Sequence, residues 1–218
     1  AQQTSQTRRW GLSLKDDWTP MNDFIDSMST KVYYQHTEAH DRTYMPDSTS
    51  GKMETVYSNY DTDTWGMQTA LAKSVGRHDL SAGFNASTTK TQRPFSQSPV
   101  PSIYSEIMQP EADSRDYTIA GFLQDQINFD LDGHNFAVIP GVRVVHQSTK
   151  PENLSSLTTN STVLTESSVS TLYGKNSDTQ ALPSLTFQYD LTPRMMTYLQ
   201  YKRGAEFPNT SQLYGSWN

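Results

Sequence analysis

The chain has no cysteine among its 218 residues, so it holds no disulfide framework, thiolate zinc site or cysteine nucleophile. No window approaches the roughly twenty consecutive apolar residues a spanning helix needs, which excludes a helical membrane protein. A hydrophobic share of 34% and a mean hydropathy of -0.70 leave one membrane architecture open. A spanning strand needs only about ten residues, half of them polar, and long loops dilute the average further. No basic cluster is present, and with a formal net charge of -6 this argues against a nucleic-acid partner. The sequence also lacks HExxH, GxSxG, a phosphate-binding glycine loop and zinc-ligand spacing. It is therefore read as a non-enzyme with no catalytic residues, no metal site and no intrinsic cofactor.

What is present is a long amphipathic hairpin from Tyr117 to Thr149. On the outgoing arm Ile119, Leu123 and Ile127 oppose Thr118, Gln124, Gln126 and Asn128. After the turn Asp130-Leu-Asp-Gly133, the return arm sets Phe136, Val138, Val142 and Val144 against Gly141, Arg143 and Gln147. A period of two, one apolar face and one face of amides and guanidinium, is the pattern of a membrane-barrel wall. The turn begins like a calcium loop, but the ligand pattern stops there. The four Trp and twelve Tyr supply the aromatics that interfacial girdles need.

The remaining arms follow this template. They run about Arg9–Trp18, Thr30–Tyr44, Thr64–Val75, Asp79–Thr88, Leu182–Asp190 and Met195–Gly204, eight strands in all with the hairpin. Connections alternate short and long. Gly76-Arg-His78 and Leu191-Thr-Pro-Arg194 are tight turns, whereas 45–63, 89–115 and 150–180 are polar, irregular or proline-rich. In an up-and-down barrel every second connection lies on the same rim, so the expectation is short periplasmic turns and long extracellular loops. The polar start Ala1-Gln-Gln-Thr-Ser has no signal-peptide core, and the chain reads as an internal piece of something longer.

Three segments resemble the TonB-dependent outer-membrane receptors. Phe122-Leu-Gln-Asp-Gln-Ile is similar to the family's strand ending in Phe-x-Gln-Asp-Glu. Ile139-Pro-Gly-Val-Arg-Val-Val is similar to its Gly-x-Arg-Tyr-Asp strand, with Val145 in place of the acid. The stretch from Pro183 through Gly204 to Gly215 resembles the strand pair leading into the Phe-Arg-Ala-Pro box, read here as Gly204-Ala-Glu-Phe-Pro208 with Glu206 where the box has Arg. In the heme and hemoglobin branch that box precedes a heme-contacting loop. The resemblance implies residues 1–218 are part of a barrel of about 22 strands, with the plug and closing strands outside them. It further implies a bacterial outer-membrane protein importing heme, free or from hemoglobin or a hemophore, with energy from TonB–ExbB–ExbD. A ferric-siderophore receptor is the alternative. A small barrel acting as a structural anchor or adhesin, and a soluble carbohydrate-binding β-sandwich, are the other classes.

The candidate ligand contacts are His36, His40, Tyr57, Tyr60, Tyr104, Tyr173, Phe207 and Tyr214, all assigned to the extracellular side. His36 and His40 cannot share an ion on a strand, where they lie roughly 13 Å apart at about 3.3 Å per residue. Lys15, Gln124, Gln126, Arg143, Gln188, Gln200 and Lys202 are expected to face the lumen. His146 is expected to point outward, and His78 and His134 to sit at tight turns on the periplasmic rim.

Overall fold

The computed structural model describes residues 2–20, 22–46, 51–98, 112–154 and 166–214. They form nine strands: β1 Gln2–Trp18, β2 Ser27–Pro46, β3 Met53–Val75, β4 His78–Gln92, β5 Phe95–Ser98, β6 Asp113–Leu131, β7 His134–Glu152, β8 Asn176–Thr192 and β9 Met195–Lys202. Two short helices, α1 Glu166–Leu172 and α2 Thr210–Tyr214, complete the described elements. All strands share one antiparallel sheet in the order β1-β2-β3-β4-β6-β7-β8-β9, with β5 added beside β3. With β5 set aside, each strand lies next to the strand that precedes it. β1 and β9 end the sheet, which is open.

Turn chemistry sets the register at one end. Asp132 (φ 53) and Gly133 (φ 79) both take the left-handed conformation that a two-residue hairpin with right-handed strand twist requires. The Asp130 carboxylate accepts a hydrogen bond from the Gly133 amide at 2.8 Å. Gly76 (φ 62) opens the β3–β4 turn, and Pro193-Arg194 closes β8–β9 beside a register shift at Asp190/Thr192. The β1–β2 connection is longer but tied down. Asn22 Oδ1 accepts from the amides of Phe24 and Ile25, and Lys73 Nζ holds both the Asn22 carbonyl and Asp26 Oδ1.

The sheet has almost no interior. Its buried apolar residues are Ala120, Ala137 and Val145, with a separate small cluster of Ala112, Val169 and Tyr214. Most of the large apolar side chains lie on one face and are exposed, among them Leu12 76%, Leu14 77%, Leu123 54% and Leu199 72%. Cross-strand partners share a face, so the register can be followed as rows across the sheet. One row on the apolar face is Trp18, Met28, Leu71, Ala82, Leu123, Val142 and Pro183. Aromatic rings fringe this face at both ends. Trp10 meets Tyr34 at 5.1 Å and Tyr34 meets Trp65 at 4.5 Å, while Phe129, Phe136 and Phe187 line the short-turn end. Lys73 and Asp125, charged residues of this face, sit toward the short turns and are paired, with Asp26 at 2.8 Å and His78 at 2.7 Å. Asp16, on β1, is an exception that nothing in the structure explains.

The eight strands of the main path stand as expected, and short and long connections alternate from β3 onward, whereas the β2–β3 connection over 47–52 is shorter than the β1–β2 connection over 19–26. Three expectations change. β5 is a ninth strand inside the proline-rich stretch, the long connection after β7 carries α1, and several strands are longer than their patterned cores. The polar residues assigned to a loop over 45–63 belong largely to β2 and β3, which stay paired as far as Pro46 and Met53. Backbone pairing needs no apolar face, so it continues where alternation ends.

Candidate functional site

The polar face is built by residues one step out of phase with the apolar ones. Its central row is Asp17, Ser29, Ala70, Gly83, Phe122, Arg143 and Leu182. The next row toward the long connections sets Lys15 directly opposite Lys31 on β2, with Gln68 and Asn85 beyond. A cleft of about 420 Å³ opens on this face, bordered by Lys15, Lys31, Asn85, Phe122 and Arg143. Arg143 Nη2 donates to Asn85 Oδ1 at 3.0 Å across two strands, and Lys15 Nζ contacts Asp17 at 2.7 Å. Gly66 and Gly83 lie beneath the rings of Tyr33 and Phe122, which fill the space their missing side chains leave.

Lys15, Gln124, Gln126, Arg143, Gln188, Gln200 and Lys202 all fall on this polar face by register. Gln126 donates to Asn128 Oδ1 and Gln200 to Thr186 Oγ1, each at 3.0 Å, so these amides already form short polar chains along the wall. Lys31 and Asn85 were not singled out from sequence. Parity could have found them, since Val32 and Phe84 are apolar-face residues and their neighbours must point the other way.

The ligand candidates scatter. His36, His40 and Tyr57 lie on the strands rather than on loops, and their parity is that of the apolar face. All three therefore point away from the cleft; His36 and His40 lie on the expected second arm, and Tyr57 moves from the expected loop onto β3. Tyr60 is also on β3 but has polar-face parity, and the Arg93 guanidinium lies 4.9 Å from its ring. Tyr57 carries Arg42 at 5.0 Å. Tyr214 is buried, and its single hydroxyl proton is shared between the Thr149 and Gly174 carbonyls, each 3.0 Å away. Tyr173 packs edge-on against it. These two are the seam that ties α1 and α2 to β7, and the Tyr214 phenol has no free face for a ligand. Phe207 is half-buried between β9 and α2. Tyr104 lies outside the described residues. His146 has apolar-face parity and meets Thr179 Oγ1 at 2.7 Å, while His78 and His134 stand beside the short turns.

His36 sits at the outer edge of the aromatic fringe, directly opposite Trp10 with the two rings 5.6 Å apart and one step beyond Tyr34 and Trp65. Its Nδ1 meets Asp63 at 2.8 Å and its Nε2 meets Glu38 at 3.0 Å. The bond with Asp63, then that with Glu38, raises the imidazole above its ordinary range. Glu38 is lowered, first by its bond with His36, and Asp63 is lowered by Tyr34 and His36. The signs fix a window. The raised histidine contributes stability fully below its unfolded value near 6.5, and this is lost as pH rises through its folded value. The lowered carboxylates contribute above their unfolded values near 4, and that contribution is lost as pH falls through their folded values. Amide exchange of the upper β2–β3 ribbon should therefore be slowest, after correction for intrinsic rates, between about pH 4 and 6.5. His36→Ala should flatten that profile. An unchanged profile in the variant would assign the pH response elsewhere.

A sheet that turns leucine and tryptophan outward, fringes them with aromatics and keeps its charge on the other face is the wall of a transmembrane β-barrel. The apolar face meets lipid and the polar face meets the lumen. The family described as "TonB dependent receptor-like, beta-barrel" matches residues 1–218, and the chain belongs to it. Its place is the bacterial outer membrane. No curated protein matches the chain by sequence. Among solved structures, "Copper transporter OprC" superposes with a TM-score of 0.69 at 16% identity, covering 95% of this chain and 32% of that one. The ferric citrate transporter FecA in its unliganded form gives 0.55 at 18% identity, covering 91% and 27%. The chain thus spans about a third of the length of the solved structures it resembles. At these identities the likeness is one of fold.

Proposed function

We propose that this wall belongs to an active importer of an anionic metal chelate, driven through TonB–ExbB–ExbD. The observation that carries the reading is the convergence of Lys15, Lys31 and Arg143 on one cleft of the lumenal face. Two lysines directly opposite each other repel. An anionic guest, or acids on a plug, would offset that repulsion. Among the structural neighbours, one is titled a ferric citrate transporter, and citrate is a carboxylate-rich chelator. The mechanism is differential binding between two receptor states, with no covalent chemistry. The heme reading has less support. His36, His40 and Tyr57 face away from the lumen, Tyr214 is buried, and neither neighbour's title mentions heme.

The test uses full-length protein in detergent, titrated separately with ferric citrate and with heme. Quenching of tryptophan by ferric citrate is expected to saturate, with the heme Soret band unshifted. Arg143→Ala should weaken ferric citrate about tenfold, the share of a charge-assisted hydrogen bond that survives a hydrated lumen. A saturable Soret shift without ferric citrate binding would restore heme as the cargo. Unchanged affinity with lowered thermal stability would assign Arg143 to plug contacts.

A further inference from the structure

We propose that the upper edge of β8 is a docking site for an extended peptide segment of a protein partner at the cell surface, added to the sheet as one more antiparallel strand. β8 and β7 stay paired up to Asn176 and Thr149, whereas β9 leaves β8 much earlier. Its last pair is Lys202 with Ser184, the Arg203 amide still donates to the Pro183 carbonyl at 3.0 Å, and residues 203–209 then run outside the sheet. From Asn176 to Leu182, β8 therefore has a neighbour on one side alone among the described residues. That bare length spans on the order of 20 Å at about 3.3 Å per residue. It lies at the end of the sheet that carries the long connections, beyond the level of Tyr201 on β9.

The backbone along this length has a fixed phase. The Pro183 carbonyl is directed at β9, and bonding groups alternate sides along a strand, so the amides and carbonyls of Ser177, Thr179 and Ala181 face the bare edge. The Thr179 amide agrees, since it donates to Asp178 Oδ1 at 2.7 Å and not to β7. All three residues are exposed. Donors and acceptors repeating at every second residue are matched by another extended backbone, and neither a lipid headgroup nor a sugar repeats in that way. Native sheets usually guard such an edge with lysine, proline or a bulge. Here the length from Asn176 to Leu182 carries Asp178 as its one charge. The Asp178 carboxylate is folded back on its own strand, accepting from the Thr179 amide and from Gln180 Nε2 at 2.7 Å each. It closes the Thr179 amide and leaves those of Ser177 and Ala181 open among the described residues. A lysine or arginine on the incoming strand, set beside Asp178, would draw the carboxylate off its own backbone. The segment that fits is therefore extended and basic. This edge stands apart from the lumenal cleft and is independent of what passes through it.

The experiment takes the full-length protein in neutral detergent with a short fluorescent probe peptide of alternating threonine and lysine, blocked at both ends. Its controls are the same peptide with every amide N-methylated, and a peptide with glutamate in place of lysine. Anisotropy should rise to saturation with the first peptide alone. Hydrogen exchange at the Ser177 and Ala181 amides should be fast in the free receptor and slow once the peptide is added. Ala181→Pro should weaken binding about tenfold, because it removes an outward N–H and puts a ring against the incoming strand. The variant should fold, since that N–H makes no bond to β7 and Pro183 already occupies the same phase of this strand. Asp178→Asn should reduce the preference for lysine over glutamate by about two- to fivefold, the share of an exposed charge pair. Equal binding of the N-methylated peptide, unweakened binding by Ala181→Pro, or a lysine preference that survives Asp178→Asn would each overturn the proposal. So would slow exchange of the Ser177 and Ala181 amides before any peptide is added, because the receptor would then cover this edge itself. Should the proline variant fail to fold, the parent's discrimination between the parent and N-methylated peptides, read at those two amides, decides the matter.

Discussion

Leu123→Arg is expected to destabilise the folded barrel by about 2–4 kcal/mol, the cost of a lipid-facing arginine near the bilayer midplane. Leu123 is 54% exposed and lies between Ala82 and Val142, in a row that runs from Trp18 to Pro183 without a charge. Gln124→Arg, one residue along, should cost under about 0.5 kcal/mol because the new charge enters the hydrated lumen beside Gly141. Urea titration of protein refolded into bilayers, read by the mobility shift of the folded band, compares the two directly. Equal losses would show that the sheet does not divide lipid from water at this register.

The second large effect is at Gly83. A Cβ built there would overlap the Phe122 ring and stand 2.9 Å from the Thr69 carbonyl oxygen. The ring can rotate away, whereas the carbonyl belongs to the β3 backbone. Gly83→Ala should therefore cost about 1–3 kcal/mol, as overpacking does. Combining it with Phe122→Ala should recover part of the loss, because the ring accounts for one of the two obstacles. The double-mutant cycle reports this as an interaction energy of about 0.5 kcal/mol or more. Additive losses would mean the ring does not pack on the glycine. Gly66 under Tyr33 repeats the arrangement with side-chain atoms alone and should recover more completely with Tyr33→Ala.

The membrane-spanning part of the fold was legible because lipid on one side and water on the other force a period of two. Leu80, Ala82, Phe84 and Ala86 announce β4, and Val138, Val142 and Val144 announce β7. Asp132-Gly133 and Gly76 declared their turns by the backbone conformations they tolerate. Above the bilayer both faces of a strand are wet, the period vanishes, and the sequence over 45–63 reads as loop although Met53–Val75 is one strand. The same blindness misdirected Tyr57 among the ligand candidates. Lys15 and Arg143 were placed by parity against apolar neighbours; carrying Val32 forward along β2 places His36 and His40 on the apolar face in the same way, whereas Tyr57 lay in a stretch with no such pattern. Tyr214 was illegible for another reason. Its burial depends on contact with Val169 and Ala112, brought together only by the folded long connections.

The paired ribbon of β2 and β3 runs on from Tyr34 to Pro46 on one side and from Trp65 back to Met53 on the other. At about 3.3 Å per residue and a tilt near 40°, it stands on the order of 30 Å above the aromatic fringe. Over these residues the extracellular edge of the wall is a stiff blade rather than a slack loop. Its surface joins residues distant along the chain, as where Arg42 lies against the Tyr57 ring. β1 flanks it on one side and β5 on the other, so an antibody or phage that recognises this blade reads several strands at once, and an isolated peptide copied from one strand lacks the rest of the epitope.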